Sequence, residues 1–340
     1  MEEVKANVKE DFRLARKVIA NSDPTILSTN EFDIYKPYWA TTENLTYMND
    51  LTKDKKLKSA FTILSGGDTV FELMSLSAEK IITTDTNPFS KYIYFLKKAA
   101  IKTLSIKEYM EYIFDPKSMN FLSKKIFDDK VVKGFTKDEE DYKEFWIKIF
   151  SYYNKKDLLK YFFRPIFRYT KAEDRKTTIS YIHNKKYESL RNQINDTDIK
   201  IYSLDAKNVL ETIDEEFDFI HVSNILLYIV QQYDIASNDF DSYVKDLKQI
   251  IEKRLRDNGI FVIDYMFKSY NPKQYLKDNQ SLTGFMATIN EIYSIIYRTV
   301  NEYFEVQAIQ YKSIPSTMNS IEDNKIPDQV IYTKKKNSYL

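Results

Sequence analysis

The sequence predicts a doubly wound α/β fold built on one sheet. Three observations carry that expectation. A β-prone run, a glycine turn, a helix and a second β-prone run follow one another between Ser59 and Asp85. Further β-prone runs alternate with helical ones from Asp198 onward. The β-prone runs after Phe304 form a hairpin-like pair.

Taken in order, Val4 to Ile19 keeps apolar positions on a helical period, and Tyr35 to Leu57 mixes aromatics with Thr, Asn and Lys as short helices and loops do. Residues 1–58 therefore read as an N-terminal helical lead-in. From Ser59, AFTILS is a short strand that ends at Gly66-Gly67-Asp68. Val70 to Ser77 reads as a helix and KIITTD as the second strand, which completes a βαβ unit. Asn87-Pro88 then opens another helix, with Pro88 suited to its first turn, and FSKYIYFLKKAAI carries it on. The next strand, DIKIYSLDA, comes only at Asp198, far beyond the usual few-residue connection. The intervening residues 105–195 are charged, aromatic and helix-like, so they read as a helical insertion between the second and third strands. The α/β domain is then 59–104 together with 196–340. Within the second part, FDFIHVSNILLYI reads as a central buried strand, Tyr243 to Asn258 as a helix closed by Gly259, and GIFVIDYMF as the next strand. A helix near Ala287 to Val300 precedes the strands FEVQAIQYKS and QVIYTKKK. This succession matches a Rossmann-like, seven-stranded, methyltransferase-type sheet.

Composition removes several chemistries. There is no cysteine and there are two histidines, His183 and His221, so disulfides, thiol nucleophiles and Cys/His zinc sites are excluded, and no metal is expected. The 51 basic residues nearly cancel the 50 acidic ones, so overall charge does not favour nucleic acid as a partner. The first residues interleave charges instead of forming a signal peptide, and no apolar run reaches the ~20 residues that cross a bilayer. The expected location is the cytoplasm, with contact at the inner face of the membrane as a further option. The 27 tyrosines and 22 phenylalanines read as compositional bias, with a functional aromatic surface as the competing reading.

In open α/β sheets, ligands bind outside the carboxyl ends of the strands, and both first turns carry suitable residues. Ser65-Gly66-Gly67-Asp68 lets backbone approach a ligand, although a plain tight turn is the alternative. Asp85 closes the second strand, where a carboxylate accepts the hydroxyls of a ribose. A dinucleotide fits poorly, because its GxGxxG spacing is missing and Asp68 would repel a phosphate. The same carboxylate suits the α-ammonium of a methionine moiety, so the turns favour S-adenosyl-L-methionine as cofactor over NAD. Asp205, after the third strand, is placed for an adenine amino group with the Ala206 amide facing the ring, and equally for capping the next helix. Ser223 and Asn224 interrupt an apolar run and are expected to face the pocket. His221 reads as a satisfied core histidine more readily than as a base.

The stretch Ser65 to Ile101, with SGGD, then D-x-NP at Asp85 to Pro88, then LKxAAI, resembles the S-adenosylmethionine:diacylglycerol 3-amino-3-carboxypropyltransferase family. The Asp205 turn, the triplet Val222 to Asn224 and the helical insertion are also similar to that family. The likeness implies cofactor contacts at Ser65, Gly66, Gly67, Asp68, Asp85, Thr86, Asn87, Asp205, Ala206 and Ser223. It also implies transfer of an aminocarboxypropyl group to a hydroxyl or amine of a lipid or small molecule, methyl transfer being the alternative. A non-catalytic membrane-associated module on the same fold is the third reading. The chain departs from the family at Tyr38-Trp39, where Ala-Thr-Thr-Glu-Asn follows instead of an acidic pair.

Tyr38, Asn224 and Tyr228 are the candidate catalytic residues near the acceptor, and Tyr228 reads equally as a packed residue of the following helix. The face Tyr142, Phe145, Trp146, Ile149, Phe150 and Tyr153, followed by Phe162, Phe163 and Phe167 among Lys160, Arg164 and Arg168, offers either membrane contact or, the preferred reading, packing onto the sheet. Arg164 or Arg168 alternatively pairs with the cofactor carboxylate. Glu173-Asp174-Arg175 reads as a solvated, self-paired surface.

Overall fold

The computed structural model describes residues 5–22, 31–41, 43–114, 124–154, 157–164, 176–222, 225–226, 229, 239–266, 295–311 and 328–336. Seven strands form one mixed sheet: β1 Ser59–Ile63, β2 Lys80–Thr84, β3 Asp198–Tyr202, β4 Phe217–His221, β5 Leu255–Met266, β6 Gln307–Tyr311 and β7 Asp328–Lys334. Their order is β3-β2-β1-β4-β5-β7-β6. β2 runs parallel to β3, β1 to β4 and β4 to β5, whereas β7 is antiparallel to both β5 and β6. The chain winds outward from β1 to β3 and then returns to β4, which is the doubly wound order expected. The first strands are near-continuous apolar or threonine runs, and four of the five residues of β1 and of β2 are buried, so both faces are covered.

The chain divides into two compact units, Met1–Lys56 with Ile63–Asp205 and Ile314–Thr317, and Leu57–Thr62 with Ala206–Ser313 and Met318–Leu340. These lines differ from the three segments read from the sequence. In the first unit α1 Val8–Asn21 and α2 Tyr47–Thr52 precede α3 Asp68–Ser75 and α4 Ser90–Thr103. All described elements between β2 and β3 are helical, among them α5 Ile106–Tyr109, α6 Lys124–Asp129, α7 Glu140–Tyr152 and α8 Asn184–Gln193. Ser105 and Glu108 form a capping box at the start of α5.

The aromatic face of α7 is core. Phe145 stacks on Tyr92 of α4 at 3.9 Å, Tyr142 stacks on Phe95 at 3.9 Å, and the Trp146 indole donates to the Tyr92 carbonyl at 2.8 Å. Phe162 and Phe163 are buried as well, against Phe89 and Trp39. The membrane reading of these residues is thereby replaced by packing, while Phe167, Arg168 and Glu173-Asp174-Arg175 lie outside the described residues. Among the described residues no helix is long and apolar enough to cross a membrane.

In the second unit, Asp218 pins the start of β1, accepting from the Lys58 and Ser59 amides at 2.7 and 3.0 Å and from Arg256 at 2.9 Å. His221 is a buried core residue whose Nδ1 lies 3.0 Å from the Thr62 hydroxyl. Two boundaries differ from expectation. The β4 strand stops at His221, and Ile225, Leu226 and Ile229 are helical. The helix before β5, α10 Asp239–Arg254 (α9 being Ala206–Thr212), ends five residues before Gly259. Arg254 secures that end by donating to the Leu210 and Glu211 carbonyls. Gly259 instead serves an irregularity of the β4–β5 register beside Asn258 at φ 60°, where an added Cβ would stand 2.7 Å from the Arg256 carbonyl oxygen.

Candidate functional site

The carboxyl ends of β1, β2 and β3 are stitched together by backbone. Leu64 N donates to Thr84 O at 2.9 Å, and Asp85 N donates to Tyr202 O at 3.1 Å. The Thr84 hydroxyl adds bonds to the Tyr202 and Leu204 carbonyls. From β1 the chain turns sharply into α3, with Gly67 N bonded to Leu64 O at 2.7 Å, Ser65 at φ 47° and Gly67 at φ 84°. The left-handed value at Gly67, where a Cβ would also meet the Tyr94 ring at 3.2 Å, explains why glycine stands there.

Asp85 joins the two turns. Its Oδ2 accepts from Ser65 N at 2.8 Å and its Oδ1 from Asn87 N at 2.8 Å. Burial pushes its carboxyl above the usual range, opposed by these amides, the Ser90 hydroxyl and the positive Arg164. The residue as a whole is partly exposed. Thr86 is exposed; Asn87 is half-buried and donates from Nδ2 to the Tyr35 carbonyl at 3.0 Å.

An irregular strap, residues 35–41, runs against these turns. Arg164 donates from its amide to Pro37 O and from Nε to Lys36 O, each at 3.1 Å, and its guanidinium sits 5.0 Å over the half-buried Tyr38 ring. Gly66 touches the strap so closely that a Cβ would stand 2.9 Å from the Tyr38 carbonyl oxygen and 3.0 Å from that of Trp39. The Trp39 indole donates to Ile113 O at 2.7 Å, and Thr41 N donates to Asp68 Oδ2 at 2.6 Å.

Asp68 requires a correction. The sequence offers its carboxylate to an incoming ammonium, but the ammonium beside it belongs to the chain: Lys97 Nζ lies 2.8 Å from Oδ1, and both side chains have no exposure. The Tyr181 hydroxyl donates to the same oxygen at 2.6 Å. Gly66, likewise, approaches the chain's own backbone. Neighbouring Glu72 is fully buried, accepts from the Ser180 and Tyr181 amides at 3.0 and 3.2 Å, and has its carboxyl raised by burial.

The structure thus brings Ser65, Gly66, Gly67, Asp85, Asn87 and Tyr38 together, with Thr86 at the rim. Asp205 is half-buried directly after β3, and Ala206 is the buried first residue of α9. Ser223, Asn224 and Tyr228 lie outside the described residues. Sequence reasoning missed Lys97 and Tyr181. A signal for Lys97 was available: Ile93, Lys97 and Ile101 share one stripe at four-residue spacing, and a lysine between two buried isoleucines needs a buried partner.

No protein-family model matches this chain, and no curated protein matches it either. Among solved structures it is similar to the N-methyltransferase NodS from Bradyrhizobium japonicum in complex with S-adenosyl-L-homocysteine, at 10% identity and a TM-score of 0.39 over 98% of this chain and 100% of that one. It is also similar to spermidine synthase from Thermotoga maritima, at 11% identity and 0.35 over 86% and 60%. A third is the Podospora anserina methyltransferase PaMTH1 bound to S-adenosylhomocysteine, at 11% identity and 0.34 over 98% and 90%. At these values the fold rests on the strand order and register themselves.

Proposed function

We propose that this chain is an S-adenosylmethionine-dependent transferase. Its reaction, in this reading, moves the 3-amino-3-carboxypropyl group to a hydroxyl or amine of a lipid or small molecule. The observation that carries the proposal is Asp85, fixed at the end of β2 by the Ser65 and Asn87 amides, with the residue partly exposed. A carboxylate has about four acceptor positions, of which the two amides and the Ser90 hydroxyl take three. Among the described residues these are its donors, and rotation of the Ser90 hydroxyl would free a further position for the hydroxyls of a ribose. The run SGGD, D-x-NP, LKxAAI supports aminocarboxypropyl over methyl transfer.

Bound S-adenosylmethionine supplies a carbon made electrophilic by a sulfonium. The acceptor's oxygen or nitrogen would bond to the γ-carbon as the carbon–sulfur bond breaks to release methylthioadenosine, and the acceptor's proton would pass to a base. The protein's part is positioning and proton uptake. Asp85 and Asn87 hold the adenosine end. Arg164, beside Asp85 and over Tyr38, suits the carboxylate of the amino-acid end. Tyr38, with Asn224 and Tyr228, is assigned to the acceptor.

Methyl transfer is the second reading, because the contacts of Asp85 serve both reactions equally. The non-catalytic reading draws on Asp68 and Gly66, which are engaged by the chain itself. Calorimetry with S-adenosylmethionine separates this last reading from the others. Wild type binds, and Asp85→Ala weakens binding by about ten- to a hundredfold, the loss of hydrogen bonds to a charged acceptor. Equal affinity in the two proteins sinks the proposal. Turnover with lipid and amine acceptors then releases methylthioadenosine if the aminocarboxypropyl group moves, and S-adenosylhomocysteine if the methyl group does.

A further inference from the structure

We propose that Asp68, Lys97 and Tyr181 are positioning residues that clamp the strap Tyr35 to Thr41 as a fixed wall of the ligand site; this rests on the reading of the β1 and β2 turns as that site. Several grips on the strap come from residues of the two turns and from Arg164, which lies beside Asp85. Asn87 holds the Tyr35 carbonyl, Arg164 holds those of Lys36 and Pro37, and Gly66 packs under those of Tyr38 and Trp39. Asp68 holds the far end through the Thr41 amide. Tyr38, the candidate acceptor residue, lies between these anchors.

The charge pair needs an explanation beyond stability. A buried ion pair is often no better for stability than well-packed apolar residues of similar volume. What an apolar pair lacks is an acceptor for the Thr41 amide. Asp68 supplies that acceptor, Lys97 neutralises the charge it brings into the core, and Tyr181 fixes the orientation of the carboxylate by donating to Oδ1 while Oδ2 faces Thr41. The Tyr181 hydroxyl also lies 3.2 Å from that of Tyr109, which fixes it in turn.

Two charge-neutral double variants isolate the acceptor. D68N/K97M keeps a side-chain oxygen for the Thr41 amide; D68L/K97M removes it at similar volume. Amide hydrogen exchange at Thr41 and the Kd for S-adenosylmethionine are measured on the full chain for both variants and wild type. Exchange at Thr41 is expected to be about tenfold faster in D68L/K97M than in D68N/K97M, with a parallel loss of affinity, the asparagine variant staying near wild type. Should the leucine variant not fold, Tyr181→Phe keeps the charge pair and shifts both readouts in the same direction. Equal Thr41 exchange and equal Kd in the folded variants and wild type overturn the proposal and leave the pair as packing. Separated Thr41 exchange in a wild type that binds no S-adenosylmethionine upholds the clamp and removes the cofactor reading instead.

Discussion

Replacing Lys97 by methionine tests how the core tolerates Asp68. The stem is matched in length, and its contacts with the Trp39 and Phe114 rings, 6.0 and 5.8 Å from Nζ, remain apolar. What goes is the ammonium 2.8 Å from Asp68 Oδ1, between two side chains without solvent exposure. Among the described residues the carboxylate keeps the Tyr181 hydroxyl and the Thr41 amide, both neutral donors. Breaking a buried pair from one side costs about 3–5 kcal/mol, since the remaining charge is left uncompensated. Asp68→Asn removes the carboxylate opposite Lys97 and costs about the same. If the sites were independent, D68N/K97M would lose the sum, about 6–10 kcal/mol. With both charges gone, it is expected to lose about 3 kcal/mol or less, so the coupling is at least about 3 kcal/mol. Urea unfolding followed by tryptophan fluorescence measures this, because Trp39 and Trp146 are the chain's two tryptophans and both are buried in the first unit. A Lys97→Met loss below about 1 kcal/mol, or additive losses in the double variant, refutes the reasoning.

Glu72 gives a pH signature. Its native carboxyl is raised above 4.5 by burial, so its contribution to stability is full below that value and is lost as pH rises through the native value. The urea midpoint of Glu72→Gln relative to wild type is therefore expected to improve from about pH 4.5 to pH 8; a change in the opposite direction contradicts the assignment. Gly134→Ala places a Cβ 2.2 Å from the Ala99 carbonyl oxygen and 2.8 Å from its Cα, all backbone of α4. The turn Val131–Gly134 must then move off the helix, and a loss of about 3 kcal/mol in thermal or urea unfolding is expected, whereas an unchanged midpoint shows that the turn moves without cost.

The sheet was legible because its strands differ in kind from everything around them. Ser59 to Ile63 and Lys80 to Thr84 are short β-branched or apolar runs bounded by turn residues, and Asp85 follows directly from where the second run stops. The hairpin-like pair after Phe304 likewise predicted antiparallel β6 and β7. Gly259 misled because a glycine after a helical run serves a helix end and a strand irregularity equally well, and only the pairing of β5 with β4 distinguishes them. Asp68 misled for a different reason. Local sequence shows a carboxylate beside a glycine turn, but its neutralising partner is 29 residues away on α4 and its orienting hydroxyl 113 residues away. The strap was read as a lead-in because many of its anchors are backbone groups, which no side-chain pattern reveals.

The placement of β7 bears on how the protein is made. Strands β5 and β6 emerge from the ribosome before the strand that lies between them, and β7 supplies the hydrogen-bonding partner for each. Until Asp328 to Lys334 is synthesised, β5 presents the edge that β7 will cover and β6 has no neighbour in the finished sheet order. Unpaired edges of this kind are templates for pairing with other chains. A chain in which β7 has not yet paired is thus the one whose β5 edge is open to other chains.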